Sequence, residues 1–61
     1  MFEVILYNDN DVFLATRFHD KNLAIRYFNM KCVQLDSYMF EPYFNRIEIL
    51  NDSLVLFDYE V

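Results

Sequence analysis

Any catalysis by this chain would have to come from very few side chains. It has one histidine, His19, one cysteine, Cys32, and two serines, Ser37 and Ser53. Covalent chemistry needs a nucleophile within hydrogen-bond reach of a base that a third group orients. Neither serine has a histidine near it in sequence, and His19 stands between an apolar run and a polar one. Cys32 falls among apolar residues at helical spacing, where a cysteine behaves as a small hydrophobe. The chain has no glycine, which excludes the loops that cradle phosphate in P-loop and dinucleotide sites. The expectation is a non-enzyme that takes no cofactor.

The stretch YNDNDV, residues 7–12, raises the question of a metal. A calcium loop of the EF-hand type needs oxygen ligands at positions 1, 3 and 5, a glycine at 6 and a glutamate at 12. Counted from Asp9, the fifth position is Phe13 and the twelfth is Asp20; counted from Asn8, the fifth is Val12. The spacing fails, and with one cysteine and one histidine there is no zinc set either. Asn and Asp tolerate positive φ better than other residues with a side chain, so the stretch reads as a hairpin turn made without glycine.

Two elements flank that turn. Residues 2–7 (FEVILY) and 12–18 (VFLATRF) are rich in β-branched and aromatic residues, the composition of paired strands. A two-residue turn at Asp9-Asn10 pairs position 7 with 12, 6 with 13, 5 with 14 and 4 with 15. That register places Phe2, Val4, Leu6, Phe13 and Ala15 on one face. Ile5, Tyr7, Val12, Leu14 and Phe18 take the other. Asp20 is a good N-cap for a helix over 20–33, with Phe18 placed to fold over its first turn. Ala24, Ile25, Phe28 and Cys32 form its apolar stripe, with Tyr27 and Leu35 on the border, while Lys21, Arg26 and Lys31 lie off it. Residues 34–42 read as a loop, because Pro42 biases Glu41 to extended geometry. A second hairpin over 43–61 turns at Asn51-Asp52. There Ile47, Ile49, Leu54 and Leu56 share one face, and Phe44, Arg46, Glu48, Leu50, Val55, Phe57 and Tyr59 share the other. The expected architecture is α+β, ββαββ, with one helix on one face of a four-stranded antiparallel sheet, all in one small domain over residues 1–61.

A chain of 61 residues buries only about 60% of the surface it exposes when unfolded. No intrachain disulfide is open to it. It compensates with an apolar fraction of 56% and an aromatic fraction of 20%. One helix cannot cover both faces of the sheet, so large apolar side chains are left over, and contiguous exposed patches mark contact sites. No apolar stretch approaches the roughly 18 residues of a membrane span. Glu3 interrupts the first apolar run, unlike a signal peptide. A cytoplasmic protein is expected, with no membrane partner.

Charge is segregated. The total is −5, made up of −3 over residues 1–16, +3 over 17–33 and −5 over 34–61. Such a balance repels phosphate and argues against nucleic acid. The residual route is a weak contact through Arg17, Lys21, Arg26 and Lys31. Six residue types with AT-rich codons (Phe, Tyr, Met, Ile, Asn, Lys) fill 27 positions, against six for Gly, Ala, Arg and Pro. That bias suits a gene of phage or mobile-element origin.

The reading that follows is a small acidic binding protein that occupies and inhibits a larger host protein. Phe44, Val55, Phe57 and Tyr59 would anchor the contact. Asp9, Asp11, Asp52, Asp58 and Glu60 would rim it, in the manner of a nucleic-acid mimic. The alternative is a self-associating structural or regulatory homodimer, with sheets face to face or edge strands paired across a two-fold axis.

Overall fold

The computed structural model describes residues 1–37 and 44–60. Its elements are β1 (Phe2–Asn8), β2 (Asp11–Phe18), α1 (Lys21–Ser37), β3 (Arg46–Asn51) and β4 (Leu54–Glu60). The four strands form one antiparallel sheet in the order β2-β1-β3-β4, and α1 packs on one face. This is the α+β architecture the sequence calls for. Val4 and Leu6 on β1 and Ile47 and Ile49 on β3, the two central strands, are fully buried beneath the helix.

α1 starts where Asp20 caps it. The Asp20 carboxylate accepts hydrogen bonds from the backbone N–H groups of Asn22 (2.7 Å) and Leu23 (3.4 Å), which satisfies donors that have no partner within the helix. Phe18 packs further along than the first turn, with its ring 5.3 Å from that of Tyr27. The helix also runs one turn beyond the expected end. Gln34–Ser37, read from sequence as the start of a loop, is helical because Leu35 continues the stripe of Ala24, Phe28 and Cys32 into the core. The rest of that expected loop, with Glu41 and Pro42, lies outside the described residues, as does Tyr43.

Both hairpins depart from the expected register in the same way. In the first, Asn8 faces Asp11 and Tyr7 faces Val12 as expected, but Leu6 then faces Leu14, so Phe13 is the extra residue of a bulge. In the second, the turn falls one residue later than expected, at Asp52-Ser53. Asn51 faces Leu54 and Leu50 faces Val55; Ile49 then faces Phe57, so Leu56 is the extra residue. One extra residue reverses the face of every side chain beyond it. Leu14, Thr16 and Phe18 therefore join Phe2, Val4 and Leu6 on the helix side. Phe57 and Tyr59 likewise join Ile47 and Ile49 there, and the expected common face for Val55, Phe57 and Tyr59 does not form.

The matching bulges reveal an internal symmetry. Adding 43 to a residue number in the first hairpin gives its counterpart in the second: Asn8 to Asn51, Asp9 to Asp52, Val12 to Val55, and bulge Phe13 to bulge Leu56. The central pairs Val4–Ile49 and Leu6–Ile47 exchange under this operation, while Ile5–Glu48 maps onto itself. A pseudo-two-fold axis thus passes through the Ile5–Glu48 pair, perpendicular to the sheet.

The turns work without glycine at a cost. Asp52 (φ 49°) and Ser53 (φ 71°) both occupy the left-handed region, and Asp9 (φ 56°) does so in the first turn. The left-handed conformation costs a residue with a Cβ roughly 1–2 kcal/mol, and serine is less suited to it than aspartate. Ser53→Gly is expected to gain about 0.5–1 kcal/mol after glycine's larger entropy loss is deducted. Thermal unfolding followed by circular dichroism should then show the midpoint raised by about 4 °C. A fall in the midpoint would mean that Ser53 is not strained.

Candidate interaction surface

The face opposite the helix is built in three rows across the strands. Arg17, Glu3, Leu50 and Val55 form the first; Ala15, Ile5, Glu48 and Asp58 the second; Val12, Tyr7, Arg46 and Glu60 the third. The bulges bring its charges into register. Arg17 lies beside Glu3, with Nε 3.3 Å from the carboxylate. The Arg46 guanidinium stacks 4.2 Å from the centre of the Tyr7 ring. It also reaches the carboxylates of Glu48 (3.5 Å) and Asp58 (3.7 Å). The Tyr7 hydroxyl donates to Glu48 at 2.6 Å. The centre of this face is therefore a polar network. An exposed apolar sheet face, the sequence-level argument for a partner, is not what the strands present.

Tyr7 feels that network directly. Its phenol ionises above the ordinary tyrosine range, first because it donates to Glu48, then through burial and the Glu48 charge, with Arg46 opposing. A raised value in the folded state contributes stability that is complete below the unfolded value of about 10 and lost as pH climbs through the folded one. In an ultraviolet titration of the tyrosines, Tyr7→Phe should remove a component that ionises later than ordinary tyrosine. It should also cost about 1 kcal/mol at neutral pH, that of a half-exposed hydrogen bond to a charged group. Loss of an early-ionising component instead would contradict this placement.

The exposed apolar surface lies at the edges. Along β4, Leu54, Val55, Leu56 and Phe57 are four consecutive large apolar residues, with Leu54 68% and Phe57 62% exposed. Along β2, Val12, Phe13 and Leu14 are exposed as well. Val12 and Val55 lie on the face opposite the helix, while on the helix side the cause is the oblique path of α1. It starts over Phe18, where Tyr27 packs, and ends at Tyr59, whose hydroxyl donates to Asp36. Phe28 reaches only towards the Phe57 ring, with centroids 6.5 Å apart. Leu23, Met30 and Val33 form a further exposed line on the helix.

The residues expected to bind a partner are thus divided. Phe44 is a core residue, 7% exposed, with Lys31 Nζ 5.9 Å from its ring centre; it precedes β3 rather than lying in it, which corrects its placement on a sheet face. Tyr59 is half-buried on the helix side. Asp9 exchanges two hydrogen bonds with Asn45, its own N–H donating to Oδ1 (3.0 Å) and the Asn45 amide donating to its carboxylate (3.1 Å). Asp11 is exposed in the same turn region. The two turns sit at opposite ends of the sheet, so no single rim of carboxylates forms. Asp52, Asp58 and Glu60, however, bracket the apolar run of β4, together with Val55 and Phe57. Asp52 also meets the amino group of Met1 at 3.0 Å. Leu54 and Leu56 belong to this edge and were not singled out from sequence. Their signal was present, because an apolar tetrad between an acidic turn and two alternating acids is what an unguarded edge strand looks like.

Other features carry less. A shallow cleft of about 250 Å³ is lined by Met1, Glu3, Arg17, Leu50, Asp52 and Ser53, below the roughly 300–1,000 Å³ of ligand pockets. Cys32 is partly buried, and its thiol is pushed up first by burial and then by Asp36, which disfavours the reactive thiolate. Two of the four cations considered for nucleic acid are engaged, Arg17 with Glu3 and Lys31 with Gln34 (3.2 Å) and the Tyr27 ring. Among the described residues no group of three or more His, Cys, Asp or Glu side chains is arranged to hold a metal ion. No helix among them is long and apolar enough to cross a membrane.

Fold and surface together define an α+β chain with an apolar, acid-flanked sheet edge. Compared with known protein families, curated proteins and solved structures, it matches none.

Proposed function

We propose that the chain is a small acidic binding protein, not an enzyme, that docks through the edge strand β4 onto a larger protein. The observation that supports this reading is the apolar run over residues 54–57, bracketed by Asp52, Asp58 and Glu60 on the outermost strand of the sheet among the described residues. Apolar side chains at a sheet edge supply the buried centre of a contact, and the carboxylates select a partner with basic residues around an apolar groove. Inhibition follows from occupancy: a groove filled by β4 is closed to its ordinary ligand. The AT-rich codon set fits a phage or mobile-element gene, in which case the partner is a host protein in the host cytoplasm.

The test is amide hydrogen exchange on the complex with a protein recovered from the source cell. Protection of β4 amides beyond that in the free chain is the expected result. Protection confined to the outer face of α1 would move the contact to Leu23, Met30 and Val33 and overturn the proposal.

A further inference from the structure

The pseudo-two-fold symmetry makes the outer strands β2 and β4 counterparts, yet they differ in charge. Arg17 on β2 corresponds to Glu60 on β4, and on the inner strands Glu3 corresponds to Arg46. Both outer strands place aromatic or β-branched residues on the helix side, Thr16 and Phe18 on β2 and Phe57 and Tyr59 on β4. Towards its C-terminal end β2 thus carries Arg17 where β4 carries Asp58 and Glu60, although Asp11 at its other end leaves β2 without net charge, and the helix-side faces are alike.

We propose that the β4 edge accepts the β2 edge of a second copy, head to tail. In the antiparallel register that obeys the molecule's own symmetry, Tyr59 faces Thr16 of the second copy. Phe57 then faces Phe18 and Asp58 faces Arg17, while Glu60 faces Ala15. Every pair keeps its side of the sheet, and the one arginine lies opposite one acid and diagonal to the turn-distal acid. Opposed charges and aromatic pairs directly across strands are favourable. Arg17 engages Glu3 through Nε, and its guanidinium has further donors for a second carboxylate. A two-fold pairing of β4 with itself is opposed by charge in two of its registers. Centred on Asp58 it sets that residue against its own copy, and centred on Tyr59 it sets Asp58 against Glu60, and like charges directly opposite destabilise. The contact is heterologous, so it leaves a β2 edge and a β4 edge unfilled and can be repeated.

This inference rests on the same premise as the proposed function, that β4 is a docking edge, and it adds the sequence pattern that fits there. Sedimentation equilibrium of the full chain at physiological salt over a concentration series tests it. The mean mass should rise with concentration and continue past the dimer. Asp58→Arg and Arg17→Asp, each alone, should weaken association by about tenfold or more, since facing like charges are costly. The double variant should recover it. Circular dichroism of each variant checks that the fold is kept. A mass that levels off at the dimer, an Arg17→Asp variant that associates like the parent, or a double variant that stays monomeric would each overturn head-to-tail pairing. A chain that stays monomeric at every concentration yet protects β4 in a host complex would remove the self-pairing and leave the proposed function standing.

Discussion

Ile47→Ala is expected to leave the chain largely unfolded. Ile47 is fully buried on β3, between Leu6 and Tyr59 and beneath the helix. Truncating a buried isoleucine to alanine costs roughly 2–5 kcal/mol through lost transfer energy and the cavity left behind. A domain of this size, with no disulfide, has a total stability of only about 3–5 kcal/mol. Its neighbour Leu6 is held in register from both sides, by Leu14 and by Ile47 itself, so the centre of the sheet has little freedom to collapse into the space. Urea unfolding by circular dichroism should show a midpoint close to zero denaturant. A loss below about 1 kcal/mol would mean that the core lies elsewhere than between the central strands and α1.

The second large effect concerns binding rather than folding. Phe57→Asp is expected to leave the fold intact and to abolish partner capture. Phe57 is 62% exposed, with its ring only loosely approached by Phe28, so its removal should change stability by about 0.5 kcal/mol. An aromatic anchor at the centre of an interface is worth at least about 2 kcal/mol, and an added carboxylate between Asp52 and Asp58 must also be desolvated. Affinity for the captured protein should fall more than about thirtyfold, which is the same 2 kcal/mol expressed as a ratio. Met30→Asp, on the exposed line of α1, should leave affinity unchanged. Equal affinity for parent and Phe57→Asp would exclude β4 as the docking edge.

The order of elements, the helix with its Asp20 cap and the glycine-free turns were legible in the sequence, because each depends on neighbours within a few residues. The faces were not. A bulge has no local signature at Phe13 or Leu56, and one extra residue exchanges the faces of all that follows. The information lay in a longer-range pattern. Without a bulge, Arg46 and Glu48 share a face with Phe57 and Tyr59. With one extra residue after Val55, Arg46, Glu48, Asp58 and Glu60 fall together and the aromatics move to the helix. Likewise, Glu3 meets Arg17 only when the first hairpin is shifted at Phe13. Requiring clean separation of charged from apolar residues across both strands would have located both bulges. Phe44 differs for a related reason: alternation alone extends the second hairpin back to residue 43, whereas the strand begins at Arg46.

The seam between β1 and β3 also sets how the chain reaches its native state. Each hairpin closes a short loop and can form in about 1–10 μs. The seam instead joins Tyr7 to Arg46 and Phe2 to Asn51, residues 39 and 49 positions apart. Contacts so distant along the chain must offset a large closure entropy before they are rewarded, and they slow the search. The committed step is then the meeting of two preformed ribbons, with α1 as the tether between them. Substitutions in the turns should chiefly alter how often ribbons exist, whereas Val4 and Ile49 decide whether a meeting lasts.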